Sequence, residues 1–83
     1  MTQYLIMCRS LTYAQKSARL LERAGITAAV VKAPQNLSSG GCGYAVSVHR
    51  RQNEAVAVLK SRNIPIGKIY VKNEYEHYRE VML

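Results

Sequence analysis

Two segments of equal length, Tyr4 to Lys32 and Tyr44 to Lys72, constrain the fold of this chain more than any other feature. Each opens on Tyr, closes on Val-Lys and reads as strand, helix, strand. In the first, Tyr4-Leu-Ile-Met-Cys8 is a short apolar run bounded by polar residues, as a strand is. From Leu11 to Ala24 the spacing turns helical, with Leu11, Ala14, Ala18, Leu21 and Ala24 on one stripe and Leu20 beside it. Ser10 or Thr12 supplies an N-cap, Gly25 a left-handed stop, and Thr27 to Lys32 a β-branched strand. In the second segment Tyr44 to His49 is a strand and Arg50 to Arg62 a helix that buries Ala55, Val58 and Leu59, with Val56 beside them. Asn63 and Pro65 end that helix, and Lys68 to Lys72 alternates polar and apolar residues like a half-buried strand. Shifting one helix onto the other matches Leu21 with Leu59, Gly25 with Asn63 and Ile26 with Ile64.

Two right-handed split βαβ units of this kind interleave into a four-stranded antiparallel sheet with both helices on one face. The expected class is therefore α+β, with a ferredoxin-like βαββαβ domain over residues 1–72. Asn73-Glu-Tyr-Glu76 resembles a capping box, and Tyr75, Tyr78 and Met82 share a helical face, so 73–83 reads as a short C-terminal helical tail. In this topology the first and third strands are central neighbours. The end of the first, at Cys8, then meets the start of the third, just after Cys42.

The segment between the halves, Leu37-Ser-Ser-Gly-Gly-Cys-Gly-Tyr44, is where chemistry can concentrate. Ser38 and Ser39 can donate hydrogen bonds to a thiolate or a persulfide, and the N–H groups of Gly40, Gly41, Cys42 and Gly43 can form an anion nest. A glycine on each side of Cys42 leaves no neighbouring side chain to bury its sulfur. The competing reading is a small buried cysteine in a tight loop. No nucleotide loop is present, because the segment lacks Lys-Ser/Thr and leads into a strand. Cys8, at the same sheet edge, is either a strand residue under a helix, the plainer reading, or a thiol that resolves a mixed disulfide on Cys42.

Catalytic and metal readings are weak. Cys8, Cys42, His49 and His77 have no zinc-finger spacing, so no metal is expected, and no cofactor motif is present. No His is placed by sequence beside Cys42, and no acid is set to orient one, so the chain reads as a carrier for other enzymes and not as an enzyme. Two cysteines without a visible secretory signal fit a reducing cytoplasm, and no apolar run has the length of a membrane span.

Twelve Lys and Arg against five acids give a net charge of +7, which favours acidic partners. RNA is one candidate. RNA-recognition motifs share this strand order and stack bases on strand aromatics, a role open to Tyr4, Tyr44 and Tyr70. Val46 stands where a stacking aromatic belongs, however, and a half-buried strand residue is the plainer reading of each Tyr. A third reading is a non-catalytic subunit that forms a homodimer through an exposed sheet face.

The chain also resembles a family of small bacterial and archaeal selenium/sulfur (Se/S) carrier-like proteins, long known only as a domain of unknown function. The likeness rests on the Tyr4-Leu-Ile6 strand and on a helix with Ala14, Lys16, Ala18, Leu20 and Leu21 that ends in Ala24-Gly25-Ile26. It extends through Pro34-x-x-Leu-Ser-Ser39 and Cys42-Gly43 to the second helix and the Ile69-Tyr70 strand. The chain departs from the family in carrying Gly40-Gly41 where further serines are common, and in its basic balance. The resemblance implies a cytosolic carrier with sulfur or selenium on Cys42. A cysteine desulfurase-type donor would load it and an acceptor protein would unload it. Ser38, Ser39 and the glycine N–H groups would support the carried atom, and Arg9 and Arg50 are the expected basic rim.

Overall fold

The repeats appear directly in the order of elements. The computed structural model describes residues 3–33, 43–72 and 77–81. Along the chain run β1 (Gln3–Cys8), α1 (Leu11–Arg23), β2 (Ala28–Lys32), β3 (Tyr44–Val48), α2 (Gln52–Ser61), β4 (Ile66–Lys72) and β5 (Tyr78–Val81). The strands form one antiparallel sheet in the order β2-β3-β1-β4-β5. The protein is thus α+β, with five antiparallel strands and two helices among the described residues.

The first four strands and both helices have the connectivity that two interleaved split βαβ units require. The expected four-stranded sheet is corrected to five, and the expected C-terminal helix to a strand. Tyr78–Val81 pairs with β4, Ile69 facing Val81 and Lys72 facing Tyr78. A four-residue segment gains little as an isolated helix, whereas the outer edge of β4 offers a row of backbone partners. Residues 73–76 and 82–83 lie outside the described residues.

Both helices stop in the same way. The Ile26 N–H donates to the Leu21 carbonyl at 2.8 Å and the Gly25 N–H to Glu22 at 3.0 Å; Ile64 donates to Leu59 at 3.0 Å and Asn63 to Lys60 at 3.1 Å. This is the Schellman arrangement, and in each repeat its apolar pair, Leu21 with Ile26 and Leu59 with Ile64, is buried in the core. At the other end of α1, the Ser10 hydroxyl accepts from the Tyr13 N–H at 3.2 Å, closing an N-cap.

Period-2 alternation divides the strand residues between two faces. Ile6, Cys8, Val46, Val48 and Ile69 join Ala14, Ala18, Leu21, Ala55, Val56 and Leu59 in the helix-side core. Leu5, Met7, Ala33 and Ala45 form a second, smaller cluster on the opposite face, with Val31, Tyr70 and Tyr78 against it. The stripe expected on α1 shifts slightly. Leu11 is exposed and Ser17 is buried, its hydroxyl donating to the Tyr13 carbonyl at 2.7 Å. On α2, Val56 takes the buried place expected for Val58.

The β1–β4 ladder is irregular between Ile6 and Cys8. Gly67 lies across from this irregularity, where an added Cβ would stand 3.3 Å from the Met7 Cβ. The absence of a side chain at 67 lets the two strands approach there.

Candidate functional site

The register of the central strands fixes which residues surround the ends of the Cys42 segment. Met7 faces Ala45 in β1–β3, and Lys32 faces Tyr44 in β2–β3. Beyond Lys32, the Ala33 N–H donates to the Gly43 carbonyl, so the two described ends of the connection are joined at a neck. The β1–β3 pairing ends at Met7 and Ala45, so Cys8 and Arg9, which follow Met7, lie at the end of the sheet where Gly43 and Tyr44 precede Ala45. The expectation that the ends of the first and third strands meet holds at this edge.

Ser38, Ser39, Gly40, Gly41 and Cys42 lie outside the described residues. Gly43 is described and half-buried, and among the described residues nothing lies within 4 Å of where its Cβ would be.

Cys8 takes the plainer of its two readings. Its side chain is 4% exposed and belongs to the helix-side core. Its Sγ donates to the Ile6 carbonyl at 3.5 Å, and its strand partner across the sheet is Ile66. A resolving role would require this thiol to leave the core.

The residues that follow Cys8 are polar. Arg9 is exposed, and Ser10 caps α1, so the N-terminal end of that helix lies at the same sheet edge as Gly43. A helix N-terminus carries partial positive charge. Lys32, exposed and opposite Tyr44, adds a full charge at this edge. Lys32 was not part of the expected basic rim; its signal was its place at the end of the second strand, directly before the connection. Arg50 is corrected in the other direction. It follows β3 at Val48, which faces Tyr4 and Ala28, and so belongs to the opposite end of the sheet.

The three tyrosines considered for base stacking do not share a face. Tyr4 and Tyr44 pack against the helix-side core, whereas Tyr70 faces Leu5 and packs on the opposite side with Tyr78. On that opposite side the central strands present Leu5, Met7, Ala45 and Ser47, none of them aromatic. Gln3 donates there to the Ser47 hydroxyl at 2.7 Å.

His49 and His77 are exposed. His49 directly follows β3, at the sheet end away from Gly43. Among the described residues, no three His, Cys, Asp or Glu side chains gather as metal ligands. Nor is any helix among them long and apolar enough to cross a membrane. Among the described residues, an acid–base pair at the start of α2 departs from its ordinary range. A hydrogen bond from Arg51, and then its charge, hold the Glu54 carboxyl below the ordinary carboxylate range.

A family model described as "putative Se/S carrier protein-like" matches residues 3–71, a span that includes the first repeat, all of the second but Lys72, and Cys42. No curated protein and no solved structure gives a significant match to the chain.

Proposed function

The chain belongs to the Se/S carrier-like family, and from that premise we propose that it holds sulfur or selenium on Cys42 and passes it between partner enzymes. The family match across the Cys42 segment carries this reading. Three further observations support it. The described neck at Ala33 and Gly43 ties the ends of the segment to the sheet. Arg9, Lys32 and the N-terminal end of α1 gather at the same edge, and positive potential favours a thiolate over a thiol. Finally, Arg9 and Lys32 at that edge are exposed cations, which suits docking to acidic partner proteins.

The transfer balances without an external oxidant when the donor is itself a persulfide, as on a cysteine desulfurase. The Cys42 thiolate attacks the terminal sulfur of the donor persulfide. The new S–S bond forms as the donor's S–S bond breaks, and the donor cysteine leaves as a thiolate. Cys42 then bears the terminal sulfur. An acceptor nucleophile takes it by the same displacement and returns Cys42 to its thiolate. In this scheme Ser38, Ser39 and the N–H groups of Gly40, Gly41 and Gly43 donate hydrogen bonds to the anionic terminal atom. A selenium atom follows the same route as a selenosulfide.

Intact mass after incubation with a cysteine desulfurase and cysteine tests this reading. The expected result is a gain of one sulfur that is absent in Cys42→Ala and retained in Cys8→Ala. Selenocysteine in place of cysteine reports on selenium. No gain, or a gain that survives Cys42→Ala, overturns the proposal.

A further inference from the structure

A cavity at the sheet end remote from Gly43 has the makings of a second site, independent of any chemistry at Cys42. The turn after α1 and the start of α2 enclose about 340 Å³, lined by Gly25, Ile26, Thr27, His49, Arg50 and Arg51. That volume lies toward the lower end of the roughly 300–1,000 Å³ that small-molecule sites occupy. Ile26 is buried, while Thr27, His49, Arg50 and Arg51 are exposed, so an apolar base is ringed by polar and cationic groups.

The two guanidinium groups differ in their commitments. Arg51 reaches across to the α1–β2 turn, donating from Nη1 to the Gly25 carbonyl at 3.0 Å. Its Nε and Nη2 both donate to the Glu54 carboxylate. These bonds hold the group in place and use three of its five N–H donors, leaving two for a ligand. Arg50 has no hydrogen bond or ion pair with any described residue. Glu54 offsets the charge of Arg51, whereas no described acid pairs with Arg50, which adds a positive charge at the rim.

We propose that this cavity binds a small organic anion. Its phosphate or carboxylate would meet the guanidinium groups of Arg50 and Arg51, and its apolar part would rest against Ile26 and Thr27. Guanidinium groups match both anions through paired N–H donors. The apolar base favours an anion that carries a ring or a short chain over a bare inorganic ion. The site uses nothing from the Cys42 segment, so it stands or falls separately from the carrier reading.

Amide spectra of the ¹⁵N-labelled full chain test the proposal at constant ionic strength. The probes are phenyl phosphate, benzoate and inorganic phosphate. The expected result is a saturable shift confined to the amides around Gly25, Thr27 and Arg51 with an organic anion, and a weaker effect from inorganic phosphate. Stronger binding of phenyl phosphate assigns the phosphate class, and stronger binding of benzoate the carboxylate class. Arg50→Gln, a change at an exposed side chain, should weaken binding about tenfold, the loss of one charge-assisted hydrogen bond. Linear shifts spread over basic residues throughout the chain would mean ion screening alone and overturn the proposal. An unchanged binding curve in Arg50→Gln would do the same.

Discussion

Gly25 and Asn63 are equivalent residues of the two repeats, and both adopt left-handed backbone conformations, with φ of 81° and 59°. Each lets the residue after it, Ile26 or Ile64, turn back and bond to the fifth residue before it. The matched leucine and isoleucine then meet in the core. The identities that relate the two halves in sequence are therefore the ones that the helix stops require.

This equivalence predicts unequal tolerance at position 25. A Cβ at Gly25 would meet only the Arg51 guanidinium, at 3.8 Å, so conformation and not space sets the cost. Gly25→Ala should destabilise by about 1 kcal/mol, and Gly25→Asn by less, because asparagine tolerates the left-handed region. Asn63→Gly should change stability by under about 0.5 kcal/mol. Urea unfolding midpoints at constant m-value measure these differences. Equal losses for the alanine and asparagine variants at position 25 would contradict the conformational explanation.

The burial of Cys8 predicts a clean separation of the two thiols. In the folded protein an alkylating reagent should modify Cys42 quickly and Cys8 only as the core opens, so the second equivalent appears on adding denaturant. Mild oxidation of the folded monomer should then give no intramolecular disulfide. Comparable labelling rates for Cys8 in native and unfolded protein would show that its place under the helices is wrong. Cys8→Ala should cost about 1 kcal/mol, since it removes a small buried group from a close-packed cluster.

Repetition made the fold legible: two half-chains of equal length and matched helix stops leave few ways to bury both apolar stripes. What local pattern could not supply was context. Tyr78 and its neighbours have spacing compatible with a helix, yet the open edge of β4 decides their state. Leu11 has helical spacing, but the buried stripe of α1 begins one turn later at Ala14 and passes through Ser17, whose hydroxyl is satisfied within its own helix. The antiparallel pairing of β1 and β3 brings Arg9 to the end of the sheet that holds Gly43. Arg50 was expected in the same basic rim as Arg9. Because β3 runs antiparallel to β1, that charge lies at the other end.

The Arg51–Glu54 pair predicts a pH dependence of known sign. Pairing lowers the folded-state pKa of Glu54 below its unfolded value. Its stabilising contribution is thus complete above the ordinary glutamate range, near about pH 4.3, and is lost as pH falls through the folded value. The difference in urea midpoint between the wild type and Glu54→Gln should be constant near neutrality and shrink on acidification. Both side chains are exposed, so added salt should reduce the difference. A difference that grew toward acid pH would reverse the assignment.

The distribution of charge along the sheet predicts which cations matter to Cys42. Arg9 and Lys32 belong to the edge that holds Gly43, while Arg50 lies beyond the far end of β3. Four strand steps from Tyr44 to Val48 span about 13 Å, already more than the roughly 10 Å Debye length at 0.1 M salt. A charge at Arg50 is therefore screened from the near edge, whereas charges at Arg9 and Lys32 are not. In a Cys8→Ala background, so that a single thiol reports, Arg9→Gln and Lys32→Gln should each slow alkylation of Cys42 at neutral pH by about twofold. Arg50→Gln should leave the rate unchanged, and high salt should erase the contrast. Equal slowing by all three would mean that net charge acts without regard to position. No slowing by Arg9→Gln or Lys32→Gln would remove the basic rim from the proposed carrier site, while sulfur loading of Cys42 would still be decided by its mass.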